Sequence, residues 1–188
     1  MRYLKIVLRV LALIIIVALF DYNLPSRDIV QIVGTEVVRT DIGSNSLFWA
    51  QQDSGTGTDL SQQNRDVRFI NTARDDGSPR VYRNEDTGWG WPFYLKFNSG
   101  NLQAEAQQLA GSGDWVAVKH YGWRSTLFSI YPNATSISPV TGPSVSLIPW
   151  VRIVAAILLL LAAVIIWRLW VRTKAWTADR MDRLKSKF

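Results

Sequence analysis

Asp86-Thr-Gly88 matches the Asp-Thr-Gly signature of the aspartic proteases. That chemistry needs two aspartates sharing one proton, each at the end of an apolar strand. Here the aspartate follows Tyr82-Arg-Asn-Glu85, precedes Trp89 and has no second copy, so it reads as a turn whose carboxylate bonds to nearby backbone. His120 is the single histidine. One imidazole cannot build a histidine-based metal cage and supports at most one serine–histidine pair, and no Gly-x-Ser-x-Gly elbow occurs. It reads as a strand residue between Lys119 and Tyr121, solvated or satisfied by a neighbour. Gly55-Thr-Gly57 lacks the lysine and the following helix of a phosphate loop. Asn84-Glu-Asp86 offers oxygen ligands without the spacing of an EF-hand calcium loop. With no cysteine, thiol nucleophiles, cysteine zinc sites and thioether haem attachment are excluded. The expectation is a non-enzymatic protein with no cofactor, no metal and no small-molecule substrate.

The densest feature is aromatic: Thr87-Gly-Trp-Gly-Trp-Pro-Phe-Tyr94, echoed by His120-Tyr-Gly-Trp-Arg124. Tryptophans spaced by glycine and stopped by proline can build a rigid platform, and Trp, Tyr and Arg supply much of the affinity at protein interfaces. Trp89, Trp91, Trp123 and Arg124 are therefore the candidate binding residues, with Arg124 suited to a carboxylate or a lipid phosphate. The competing reading has these rings filling the core or resting on the outer leaflet, with Gly88, Gly90 and Gly122 supplying turns of positive φ. Trp91, held by Pro92 against the following strand, is expected to be buried. Trp89, between two glycines, is expected at the surface.

Two apolar segments must position these residues. Residues 3–20 open the chain, and residues 151–167 are apolar apart from Arg152, with a helix able to run on through Trp170. Twenty helical residues at ~1.5 Å each cross a hydrocarbon core of ~30 Å. Three basic residues and no acid lie in the first ten, and eight basic residues against two acids lie from Trp150 onward. The stretch between holds ten against thirteen, so the net charge of +6 and the high pI belong to the tails. Basic flanks stay cytoplasmic, which puts both termini inside and residues 21–149 outside. A nucleic-acid partner does not fit that distribution; anionic lipid headgroups do. The first segment reads as an uncleaved anchor, because Ala18-Leu-Phe20 puts Phe next to any cleavage point. Tyr22 and Trp150 mark the outer boundary, and Trp167, Arg168, Trp170 and Arg172 the inner one. Residues 171–188 form a basic tail whose Trp170, Thr177, Met181, Leu184 and Phe188 suit an interfacial amphipathic helix.

The 129 residues between the anchors suffice for one core without disulfides. Residues 28–39 are β-branched and read as a strand with a bulge at Gly34. Residues 46–51 predict a second strand and 53–64 a polar loop. Residues 66–72 and 79–83 flank Asp75-Asp-Gly-Ser78, a hairpin signal. Residues 93–97, 114–121, 125–131 and 135–140 complete about seven strands. A helix over 102–110, capped by Ser99 or Asn101 and ended by Gly111, offers one apolar face. The fold class is a membrane-anchored, β-rich α+β protein: transmembrane helices at 1–20 and 150–170 flanking a small antiparallel barrel or sandwich with one helix.

Arg27-Asp-Ile-Val-Gln-Ile-Val-Gly-Thr-Glu-Val37, Asn84-Glu-Asp-Thr-Gly-Trp-Gly-Trp-Pro92, Asn101-Leu-Gln-Ala-Glu-Ala106 and His120-Tyr-Gly-Trp-Arg124 resemble a bacterial family catalogued only as a domain of unknown function. The resemblance covers nearly the whole chain and brings no site residues. It implies a bacterial inner membrane and a periplasmic domain. The expected role is an accessory or scaffold protein docking a larger integral membrane complex or envelope assembly. The alternative is a membrane-anchored ligand- or lipid-binding sensor, disfavoured by a tail of ~20 residues, too short for a signalling domain.

Overall fold

The structure, a computed structural model, describes residues 2–41 and 64–185. The expected strand at 46–51 and the loop at 53–64 lie outside the described residues, save for Asn64. Residues Met1–Leu147 and Ile148–Phe188 form two units.

In the first unit, α1 (Arg2–Asn23) is long enough, at about 33 Å, to cross a bilayer, and its apolar side chains are exposed on every side. It stops where Asn23 Nδ2 turns back onto the Leu19 carbonyl (2.6 Å) and Pro25, which has no N–H, follows. Only two residues separate it from β1 (Ser26–Asp41).

The β-branched composition of β1 suits a long strand, and it pairs antiparallel with β2 (Asn64–Ala73) over its second half. The register slips between Ile32 and Gly34, the expected bulge. β2 turns into β3 (Pro79–Arg83) through the Arg74–Ser78 hairpin, where Asp76 accepts the Ser78 N–H (2.9 Å) and Gly77 takes φ +75°. After α2 (Ser99–Leu109), β4 (Trp115–Tyr121) returns to pair with the first half of β1, and β5 (Asn133–Pro139) pairs with β4. The order β1-β2-β3-β5-β4 closes on itself as a five-stranded barrel. All pairings are antiparallel except a short parallel seam where Arg83 meets Asn133.

The interior follows strand parity. Val30 and Ile32 of β1, Ile70 of β2, Tyr82 of β3, Val116 and Val118 of β4, and Ala134 and Ile137 of β5 are buried, with Leu102 and Ala106 of α2 packed on them. Helix α2 ends at Ala110, and Gly111 at φ +75° donates its N–H to the Ile32 carbonyl (3.1 Å), tying the helix to the sheet.

The described residues hold five strands rather than seven. Residues 93–97 are irregular: Leu95 sits at φ +50°, and the Thr87 and Gly88 N–H groups both donate to the Lys96 carbonyl (3.1 Å each), closing a loop instead of a ladder. Residues 125–131 form a turn closed by reciprocal Ser125–Ile130 backbone bonds, too tight to leave strand on either side. The cap of α2 also differs. Ser99 is the first helical residue, and Asp86 supplies the capping carboxylate from outside the helix.

In the second unit, α3 (Trp150–Lys185) is one continuous helix whose stretch Trp150–Lys174 is apolar enough to cross a membrane. Trp150, Trp167 and Trp170 are exposed on it, and Lys174 Nζ lies 3.7 Å from the centre of the Trp170 ring. The chain therefore carries apolar helices at both ends of its barrel.

Candidate functional site

Loop 84–97 leaves β3 carrying the acid triplet and the Trp-Gly-Trp-Pro run. Of its three polar leaders, Asn84 and Asp86 meet at Ser99 and Glu85 turns away. Asn84 donates to the Ser99 carbonyl (2.8 Å) and to Gln103 Oε1 (2.9 Å). Glu85 turns to Arg83 Nη1 (3.3 Å). Asp86 accepts the Ser99 N–H (2.8 Å) and its hydroxyl, the backbone bond expected of a turn carboxylate and here a cap for the α2 dipole. Lys96 is buried beneath the loop, with Nζ donating to Asn84 Oδ1 (2.6 Å) and to the Ala134 carbonyl (2.7 Å). Burial lowers its pKa from 10.5 to about 7, against the pull of Asp86 and Glu85. Asn133 completes this polar layer, donating to the Glu85 carbonyl (3.0 Å) and the Tyr121 hydroxyl (2.9 Å). Burial pushes the Tyr121 pKa up.

His120 is buried on the same face of β4 as Val116 and Val118, so of the two expected readings it is the satisfied one. Its neighbour is Asp28, whose Oδ2 lies 3.1 Å from Nε2 at ion-pair distance, accepts from the Tyr82 hydroxyl (2.6 Å) and faces Arg80 Nε at 3.4 Å; Nδ1 is buried with no hydrogen-bond partner among the described residues. Burial acts to raise the Asp28 pKa, but hydrogen bonds from His120 and Tyr82 and the nearby positive charge outweigh it and hold the carboxyl well below its usual range. The cluster joins β1, β3 and β4. Asp28 was not among the expected site residues. The signal was parity, since it shares a face with Val30 and Ile32 as His120 does with Val118.

The aromatic run behaves differently. From Trp89 to Phe97, alternate residues face out: Trp89 is 79% exposed, Trp91 59%, Phe93 69%, Leu95 50% and Phe97 55%. The residues between them go inward, ending with Pro92, half-buried Tyr94 and buried Lys96. Trp91 is thus exposed, contrary to the expected burial: Pro92 is the buried member of the pair, and the Trp91 ring stands outside, edge-on to Phe93 (5.2 Å). Trp89 is at the surface, edge-on to Phe97 (5.7 Å). Gly88 and Gly122 take positive φ, and Gly90 does not.

The inward members of the run fasten it to the end of α1. Tyr94 donates its hydroxyl to the Asn23 carbonyl (2.6 Å) and stacks on Tyr121 at 4.5 Å. The second expected segment meets the same turn. Trp123 Nε1 donates to Asp21 Oδ2 (2.8 Å), its ring lies edge-on to Tyr22 (5.3 Å), and the Gly122 N–H donates to the Tyr22 carbonyl (2.9 Å). Gly122 holds φ +87°, and a Cβ there would touch the Tyr22 ring at 3.6 Å. Arg124 does not reach outward: it lies over the Tyr131 ring (4.2 Å) and donates to the Ser125 and Ile130 carbonyls (2.7 and 3.1 Å). Trp123 and, through Tyr94, the loop that carries Trp89 and Trp91 are thus both fastened to the last turn of α1, and Arg124 bonds within its own loop.

Barrel, anchor-like helices and aromatic loops define a class: small β-barrel proteins mounted on an apolar helix. Residues 1–174 match the family described as protein of unknown function DUF1523, and the chain belongs to that family. An uncharacterised protein of Haemophilus influenzae is 44% identical over 134 residues, covering 70% of this chain and 72% of its own length. No solved structure matches.

Proposed function

We propose that this protein is a non-enzymatic, two-span accessory protein of the bacterial inner membrane. Both termini lie in the cytoplasm, and the barrel lies in the periplasm, where it docks a larger membrane complex or envelope assembly. What carries the reading is the joint between span and barrel. A two-residue link and bonds from Tyr94, Gly122 and Trp123 fix the barrel to the last turn of α1. A rigid joint holds a docking surface at a fixed height above the bilayer, which cuts the freedom lost when a partner binds. The side chains that resemble catalytic groups, Asp86, His120 and Lys96, are engaged in internal bonds. Trp89 is the docking residue of choice: it is large, exposed and set at the base of its loop, where truncation removes interface without opening the core.

The test is Trp89→Ala in the full chain. The protein should accumulate normally and lose its co-purifying membrane partner, a hot-spot loss of ~2 kcal/mol or about thirtyfold in affinity. Retention of the partner at wild-type strength would remove Trp89 from the interface.

A further inference from the structure

We propose that the tips of two loops, residues 91–95 and 125–130, are seated in the outer leaflet of the bilayer and hold the barrel down on a lipid surface. The inference rests on the two-span reading but not on the docking role. The first observation is inverted parity. A strand-like alternation normally turns its apolar side inward, because a shift of one residue exposes the whole apolar set. In 91–95 the outward set is Trp91, Phe93 and Leu95, while Pro92 and Tyr94 face in. That is the pattern of a segment whose outside is not water, as on the lipid face of membrane barrels.

Position is the second observation. Tyr94, at the centre of the first tip, is bonded to Asn23, the last residue of α1. The second tip follows directly on Trp123, which is bonded to Asp21. Both tips are thus fastened to the turn where the apolar, exposed helix α1 ends. Trp89 pairs with Phe97, where the Thr87 and Gly88 N–H groups close the loop on the Lys96 carbonyl.

Third, neither tip carries a charge. Trp-Pro-Phe-Tyr-Leu and Ser-Thr-Leu-Phe-Ser-Ile contain no acid or base, and the flanking cations are turned away, Lys96 into the barrel and Arg124 onto its own loop. Leu127 and Phe128 stand exposed at the second tip, Leu127 by 83%. The reciprocal Ser125–Ile130 backbone bonds and the Arg124 guanidinium engage carbonyls of that turn, which lowers the cost of bringing its backbone towards hydrocarbon. Aromatic side chains at an interface, on a surface without charge and beside a span, fit phospholipid at the headgroup–acyl boundary.

The absence of native cysteine makes the test direct. Full-length Phe93→Cys and Leu127→Cys, each carrying a nitroxide, are placed in vesicles of phosphatidylethanolamine and phosphatidylglycerol. Accessibility to oxygen and to a water-soluble nickel chelate is then compared. Ile14→Cys, in α1, reports the span, and Gln108→Cys, on α2 near the helix end bonded to Ile32, reports the barrel's outer flank. Positions 14, 93 and 127 should favour oxygen, and 108 should favour nickel. Nickel access at 93 or 127 with oxygen access at 14 overturns the inference and leaves the span standing. Nickel access at 14 defeats the span itself. Shielding of 93 and 127 from both probes assigns them to a second copy of the chain and also overturns it.

Discussion

The barrel's core and the layer under loop 84–97 bury opposite kinds of side chain. In the core, Val30, Ile32, Ile70, Val116, Val118 and Ile137 point inward under Leu102 and Ala106, as water outside demands. Under the loop, Arg83, Asn84, Lys96 and Asn133 are buried, while Trp91, Phe93, Leu95 and Phe97 stand outside. A buried charge costs several kcal/mol unless its partners are present, so the second region folds only because the layer is internally bonded. The contrast teaches that burial in one small domain can follow two patterns. The core answers to water, and on the proposed seating of the loop tips the end fastened to α1 answers to lipid.

The largest expected effect breaks the polar layer. Arg83→Met removes the guanidinium 3.3 Å from the Glu85 carboxylate, whose side chain is only 9% exposed, and should cost about 3–5 kcal/mol in denaturant unfolding of the detergent-solubilised protein. Ile70→Ala, in the core, should cost about 2–5 kcal/mol by the transfer and cavity route. An Arg83 variant as stable as wild type would mean the layer is wet and the comparison false.

Lys96 sharpens the contrast through pH. Its folded pKa of about 7 lies below the ordinary 10.5, so between those values the unfolded chain holds a proton that the folded chain has released. Stability should therefore rise with pH across that window, by up to about 1.4 kcal/mol per unit, and stay level below it. In Lys96→Met this rise should vanish when melting temperature is followed from pH 6 to 10. A wild-type profile that falls over the window would contradict the burial of a strained cation.

Asp86→Ala removes the cap of α2 and should cost about 1 kcal/mol, with no change in cellular function while the protein accumulates. Smallest of all, Phe93→Ser should shift folding stability in detergent by no more than about 0.5 kcal/mol, since its side chain stands outside the fold. A loss of several kcal/mol there would show that the outward row is a core after all.

Much of the barrel was legible because its residues obey water's rule. The β-branched run of β1, the bulge at Gly34, the Asp75-Asp-Gly-Ser78 turn and the helix ended by Gly111 each carry a local signal that packing reinforces. The site was less legible because its rule is reversed. Residues 93–97 have a strand's alternation, yet their apolar side faces out and Leu95 takes a left-handed backbone, so pattern alone suggested a strand. Trp91 read as buried for the same reason. Arg83 and Lys96 carried no signal in the sequence, since only the fold brings Glu85, Asn84 and the Ala134 carbonyl to meet them. Asp28 and His120 were recoverable from parity with their apolar neighbours.

Topology tests the account most directly, because the proposed seating of the loop tips needs a bilayer beside them. In intact cells, a membrane-impermeant maleimide is applied to full-length Gln108→Cys, on the exposed side of α2, and to Lys187→Cys, near the carboxyl terminus. The expected result is labelling at position 108 in intact cells and at 187 only after the inner membrane is opened. Labelling at 187 in intact cells, or none at 108 until lysis, would contradict the account.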